Sequence, residues 1–459
     1  MRLGLRSARH ARSRTVPNSP DPTPRTANLA AEPCDVLVIG GGPAGSTAAT
    51  LLAREGRSVV LLEKAHHPRF HIGESLLPAN GPLFNALGVR DQVDAIAMPK
   101  WGVEFVSLHH AHHSFLEFGE AWDKSMPCAW QVRRSEFDDV LFRNACANGA
   151  LTLEGCRVDS VQFDADGANV RATLDDGAVR EWRARYVIDA SGRDTLLANQ
   201  FGIKQKNRKH NSAALFGHFR GARRLEGKRE GNISLFWFQH GWFWFIPLAD
   251  GSTSVGAVCW PYYLKSRSKP LKDFFDATIA MAPTLAERLR GAELIDNLVH
   301  ATGNYSYSAS HASGERYLML GDAYAFVDPV FSSGVHLAMV SAFEGAKLAA
   351  ASLDGAPESA LLRKRFEAHM RKGPREFSWF IFRMTNPAIR QLFMHPHNVL
   401  RMREAVMSLL AGDIFGKTPI HASLLAFKGL YYLNSLIMLP RAFAAWRARR
   451  VNIRDVGAV

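Results

Sequence analysis

Residues 34–64 read CDVLVIGGGPAGSTAATLLAREGRSVVLLEK, and this stretch decides the fold. "DVLVIG" is a largely β-branched apolar run that stops at glycine, the pattern of a strand buried on both faces. "GGGPAGSTAATLLAREG" carries alanine and leucine at helical spacing and closes on Gly56, a helix-terminating residue. "RSVVLLEK" then reads as a second buried strand. The unit is strand, tight turn, helix, strand, with Gly40, Gly42 and Gly45 in the G-x-G-x-x-G places and Pro43 and Ala44 between them. Gly40 permits the turn, Gly42 lets backbone N–H groups approach a pyrophosphate, and Gly45 lets helix and strand pack closely. Glu63, followed by Lys64, ends the second strand where a carboxylate would bond a ribose hydroxyl. A dinucleotide-binding turn is therefore expected here.

Outside this unit, composition sets bounds. A chain of 459 residues that is 47% hydrophobic exceeds what one compact core holds, so two packed lobes and an appended element are predicted. Residues 1–33 hold six arginines and no acid before Asp21, then turn rich in proline and threonine, which predicts a disordered tail. That tail lacks the apolar region of a secretory signal and reads either as a transit segment or as the product of a start set too far upstream. The net charge of +13 attracts anions, whether nucleic acid, an anionic membrane or an acidic protein, and by itself does not choose among them. Cys34, Cys128, Cys146, Cys156 and Cys259 are odd in number and lack C-x-x-C spacing, so neither a disulfide framework nor zinc is suggested, and a reducing cytoplasm fits. His109, His110, His112 and His113 have no carboxylate or cysteine following at ligand spacing and read as an exposed hairpin, so no metal is expected.

The fold class predicted is α/β. A Rossmann-like domain over 34–195 carries a short substrate-side insertion at about 98–126 and resumes over 301–356. Residues 196–300, with "NISLFWFQHGWFWFIPL" and "STSVGAVCW", alternate as antiparallel strands of a substrate sheet, and 357–459 are helical. The stretch "SLLAFKGLYYLNSLIMLPRAFAAWRARR" reads either as a lid helix over a substrate tunnel or as an interfacial helix whose Arg447, Arg449 and Arg450 face anionic lipid.

Three further stretches favour FAD over NAD. "QVRRSEFDDVL" contains Arg134, "RYVIDASGR" ends a strand at Asp189, and "YLMLGDAYAFVDPVFSSGVHLAM" runs through Gly321, Asp322 and Pro329. Their order and spacing resemble the FAD monooxygenases related to p-hydroxybenzoate hydroxylase. That resemblance implies that Gly321 and Asp322 bind the ribityl chain and that Arg134 lies along the flavin.

"RFHIGESLLP", "PKWGVEF", "WFWFIP" and "FVDPVFSSG" narrow the resemblance to the flavin-dependent halogenases, from about residue 34 to at least Lys417. Trp242, Trp244, Ile246 and Pro247 match that family's W-x-W-x-I-P pattern, and Phe326, Pro329, Ser332 and Gly334 match its F-x-x-P-x-x-S-x-G pattern. The resemblance implies a two-component enzyme in which FADH2, supplied by a separate NAD(P)H-dependent reductase, forms a flavin C4a-hydroperoxide that oxidises chloride or bromide to hypohalous acid. Trp242 and Trp244 would then shield the flavin from organic substrate. Ser333 and Gly334, at a helix start, would hold halide. Lys100 would hold hypohalous acid or form a haloamine, aided by apolar neighbours that lower its pKa, and Glu74 would be a second catalytic polar group. Phe331 stands where tryptophan halogenases carry glutamate, which points to the phenol and pyrrole branch, with an electron-rich ring that is free or tethered to an acidic carrier protein. An FAD monooxygenase or an isoprenoid double-bond reductase on the same fold, and a flavin-binding redox partner without turnover, stay open at this level.

Overall fold

The computed structural model describes residues 31–207, 210–303, 306–416 and 418–454; all but the last three residues of the expected tail, and Lys417, lie outside them. From Ala31 onward the chain forms one compact unit built around two large sheets.

The first sheet has Glu32–Ile39 at its centre, starting inside the segment expected to be a tail. This strand pairs in parallel with Val59–Leu62 on one side and with Val179–Asp189 on the other. Val36, Leu37 and Val38 are wholly buried, as the apolar run requires of a strand covered on both faces. Helix Pro43–Arg54 covers it. Gly40 has φ +100°, and a side chain there would meet the Ala190 carbonyl at 2.4 Å. At Gly45 a side chain would lie 1.9 Å from the Gly40 carbonyl, so the helix can approach the strand only with glycine at that place. Cys156–Phe163 and Ala168–Leu174 extend the sheet as an antiparallel meander beside Val179–Asp189, and Tyr317–Met319 rejoins it in parallel.

The second sheet runs Glu293–Leu294, Ala213–Arg220, Ser252–Cys259, Gly241–Pro247, Ile233–Phe238, Gly102–Ser107, Ser114–Glu117. It was expected to be antiparallel and is mixed: Gly102–Ser107 pairs in parallel with Ile233–Phe238. The chain between these two strands passes through the first sheet, so no hairpin dictates their relative direction. Every residue of Gly241–Pro247 is buried. Its alternation sends Trp242, Trp244 and Ile246 to one core and Phe243 and Phe245 to another, with Phe236 and Phe275. Helix Gly334–Leu353 packs against Pro43–Arg54, and helices from Ser359 to Ile437 pack on the Trp242 and Trp244 face of the second sheet.

Candidate active site

A cavity of about 510 Å³ opens between the glycine-rich turn and the tryptophan strand, within the roughly 300–1,000 Å³ of small-molecule sites. Two helix N-termini converge on it: Gly42, Pro43 and Ala44 at one end, Ser332, Gly334 and Val335 at the other. The first-turn N–H groups of a helix have no intrahelical acceptor, so each end is an anion site. A side chain at Gly42 would meet only the tip of Arg69, 3.6 Å away, which leaves the backbone open to a phosphate.

Glu63 is held from behind: its Oε2 accepts the Gly41 N–H at 2.7 Å and its Oε1 the Ala65 N–H at 2.9 Å. Lys64 pairs with Asp194 at the cavity edge. Arg134 donates to both oxygens of Asp138, at 2.8 and 2.9 Å, and to the Ile72 carbonyl at 3.0 Å. Burial works to raise the Asp138 carboxyl, but Arg134 outweighs it and holds the carboxyl below its usual range. The Asp322 carboxyl, facing the cavity, is pushed up to about 6 by burial against the pull of Arg193 and Arg134. Pro329 also lines the wall.

Four expected residues stand just behind this wall. Asp189 spends its carboxylate on the Ser191 and Leu197 N–H groups, at 2.9 and 2.8 Å, and so ties the turn after its strand. Gly321, with φ +51°, lies against Ala338, and its N–H donates to Ser341 Oγ at 3.0 Å; its carboxylate neighbour faces the cavity. Ser333 is buried as the N-cap residue, and Ser332, with φ +56°, presents itself to the cavity in its place. Pro247 ends the strand beyond the lining, which stops at Ile246.

Trp242 and Trp244 form the wall opposite the glycine-rich turn, ring centroids 6.2 Å apart. Trp244 Nε1 donates to Ser254 Oγ at 3.1 Å. A side chain at Gly256 would fall 2.2 Å from the Trp244 ring, so this glycine makes room for the indole. Neither Ser254 nor Gly256 was expected to matter; a glycine interrupting the alternation of "STSVGAVCW" is the signal that could have found the second.

Lys100 does not line the cavity. It is fully buried, donating to Ser75 Oγ at 2.9 Å and to the Leu76 carbonyl at 3.1 Å, with Nζ 5.2 Å from the Phe118 ring centre. Ser75 does line the cavity, so the amine stands one hydrogen bond behind its wall. Burial pulls the Lys100 amine down to about 7, opposed only weakly by Cys128, and among the described residues no carboxylate pairs with it. Beside Ser75, Glu74 faces the cavity. Its Oε1 lies 2.7 Å from His218 Nε2, while its buried Oε2 has no partner among the described residues. His218 was missed; a single histidine inside the apolar strand "AALFGHFR" is its only mark in the sequence.

The histidine quartet meets protein groups: His110 reaches Gln391 at 3.0 Å, His112 the Met394 carbonyl at 2.9 Å, and His113 Glu104 at 2.8 Å. Among the described residues the C-terminal helices contribute nothing to the lining of this cavity.

The fold and these residues fit FAD: a turn whose backbone is open to a phosphate, the Glu63 carboxylate at the end of the second strand, a half-buried Asp322 and Arg134 all line one cavity. They define an FAD-dependent oxidoreductase, and residues 33–371 match the FAD binding domain family. The flavin-dependent halogenase armH3 of Armillaria mellea is 36% identical over 347 residues, covering 70% of this chain and 68% of that protein. Across the curated relatives the chain spans between 63 and 71% of their length. Among solved structures, the myxobacterial chondrochloren halogenase CndH superposes with a TM-score of 0.74 at 32% identity, over 89% of this chain and 97% of that one. A flavoprotein/dehydrogenase of Cytophaga hutchinsonii superposes with a TM-score of 0.81 at 30% identity, over 88% and 99%. The chain belongs to the flavin-dependent halogenases.

Proposed function

We propose that this enzyme oxidises chloride or bromide and installs the halogen on an electron-rich ring, a phenol, pyrrole or aryl polyketide, in secondary metabolism. Bound FAD, delivered reduced by a separate NAD(P)H-dependent reductase, supplies the two electrons with which oxygen turns halide into hypohalous acid. The chain's residues do the rest. The helix start at Ser332 and Gly334, with Ser333 at the N-cap position, holds the halide by partial positive charge. Trp242, Trp244 and Ile246 fill the space over the flavin end, so a small anion enters and a ring does not. Lys100, neutral above about pH 7, takes the hypohalous acid from the Ser75 side and presents it to substrate. Glu74, with one oxygen held by His218 and the other free, accepts a proton at Oε2.

The observation that carries this reading is the buried, uncompensated amine one hydrogen bond behind a cofactor cavity walled by tryptophan. Phe331, buried against Phe377 and Phe380 at the place where tryptophan halogenases carry glutamate, supports the phenol and pyrrole branch. Five free cysteines support a cytoplasmic enzyme. The test supplies FADH2, oxygen and halide to the purified protein with a hypohalous acid trap. Halide-dependent trapping is expected, and NAD(P)H oxidation no faster than free flavin supports. Substrate-stimulated NADPH oxidation would instead assign the chain to the hydroxylases.

A further inference from the structure

Nine of the eighteen large apolar side chains exposed among the described residues lie between Leu425 and Val451. Helix His421–Ile437 exposes Leu425, Tyr432, Leu433, Leu436 and Ile437. Helix Leu439–Arg454 exposes Leu439, Phe443, Trp446 and Val451. On the first helix the exposed residues recur at helical spacing along one face. The opposite face is already used: Tyr431 packs 5.3 Å from Trp379, and Phe427 packs 5.7 Å from Phe380 and 6.4 Å from Phe393. This helix is therefore apolar on its solvent side as well as its core side. A contiguous apolar face of this kind marks an interaction surface.

Charge states what the surface fits. From Ile414 to Arg454 the chain has seven lysines and arginines and no aspartate or glutamate. Lys428 and Arg449 turn inward, toward Glu376 and the Phe382 carbonyl. Arg441, Arg447 and Arg450 are exposed, and none of them has an ion pair among the described residues; Arg450 lies 4.5 Å over the Trp446 ring, which stacks on Phe443. The two helices meet at 104°, and neither is long and apolar enough to cross a membrane alone. They form a bent ridge with leucine, isoleucine and phenylalanine at its crest and arginine, tyrosine and tryptophan beside it.

We infer that this ridge seats the enzyme on an anionic lipid surface. Acyl chains accept the crest, phosphate headgroups accept the arginines, and the aromatic rings sit at the boundary, as in interfacial helices that lie in the membrane plane. A second copy of the chain fits less well. A two-fold contact would set the patch against itself, opposing arginine to arginine with no carboxylate on the patch to pair them.

The ridge shares no residue with the cofactor cavity lining, so lipid binding and turnover can be measured apart. FAD-loaded protein is sedimented with vesicles of phosphatidylcholine and with vesicles of phosphatidylcholine and phosphatidylglycerol in equal parts. Binding to the mixed vesicles should be at least about tenfold tighter and should weaken with salt. Two double variants, Leu436→Ser with Ile437→Ser and Arg447→Glu with Arg450→Glu, should each loosen it at least about tenfold. Both should keep wild-type FAD affinity and melting temperature, since these side chains are exposed. No pelleting with the mixed vesicles, or pelleting that neither variant reduces, would overturn the inference. So would a dimer in sedimentation velocity that the Leu436→Ser, Ile437→Ser protein lacks, which would assign the ridge to a second copy. Binding of an acidic carrier protein, lost in the variants while vesicle binding persists, would assign it to a protein partner.

Discussion

The glycine-rich side of the site and the Lys100 side meet at Ser75 and are built in opposite ways. The first is roomy and polar, with two helix N-termini and several unspent donors and acceptors facing about 510 Å³ of space. The second is dry: Lys100 sits among Leu76, Phe118 and the core around Trp130, and its amine finds only a hydroxyl and a carbonyl. The roomy side is shaped for a large charged cofactor, whereas the dry side keeps the Lys100 amine buried one hydrogen bond behind the cavity wall. Under the proposed function, that contrast separates the place where an oxidant is made from the place where it is used.

The sharpest way to break the comparison is Lys100→Ala. If the dry side only uses the oxidant, halogenated product should fall between about a hundredfold and ten-thousandfold, the range of a lost acid–base or nucleophilic group. Oxygen uptake and trapped hypohalous acid should persist with supplied FADH2. Halogenation near the wild-type rate, read by isotope pattern in mass spectrometry, would end the assignment of this lysine.

The tryptophan wall comes next. Trp244 is buried, bonded to Ser254 and seated over Gly256. Trp244→Ala should cost about 3 kcal/mol or more in denaturant unfolding, as large-to-small core changes do. Gly256→Ala should cost about 1–3 kcal/mol, because the methyl group would displace the indole. A neutral Gly256→Ala would mean that the ring has room to move, and the wall would not be the rigid screen described above.

How legible this was depended on whether the constraint is local. Gly40 and Gly45 could be read directly, because a positive φ and a backbone approach are demands of adjacent residues. The tryptophan strand could be read from its period of two. Lys100 could not, because its walls come from Ser75, Leu76 and Phe118, distant in sequence; only family resemblance pointed to it. Motifs also located segments better than side chains. Asp189, Gly321 and Ser333 each lie in the right segment, yet Ser191, Asp322 and Ser332 face the cavity. Which of two neighbours faces the ligand is set by a turn's dihedral angles, and at Ser332 a φ of +56° decides it. Pairs such as Glu74 and His218, brought together from a loop and a strand far apart in sequence, leave no local trace.

A smaller effect sharpens the dry side further. The folded Lys100 amine releases its proton at about 7, and the unfolded one near 10.5. Between these values the unfolded state binds more protons, so this residue's contribution to stability rises with pH across the window. Below it both states carry the charge, and the folded protein bears the full cost of burying it. Lys100→Met should therefore unfold at a higher temperature than wild type at pH 7, by an equivalent of about 4 kcal/mol, with the gap closing toward pH 10. A gap independent of pH would mean that solvent reaches the amine.

The smallest effect concerns how substrate arrives. If the ring is presented by an acidic carrier protein, the net charge of +13 should steer it, and steering acts on association rate. Turnover at limiting carrier-bound substrate should then fall severalfold as ionic strength rises through roughly 0.1 M, where the screening length is about 10 Å. A free phenol analogue, uncharged and diffusing unaided, should show no such loss. Equal efficiency for free and carrier-bound rings, with salt affecting neither, would remove the carrier. The basic charge would then be left to the C-terminal ridge, whose salt dependence appears in vesicle binding and not in turnover.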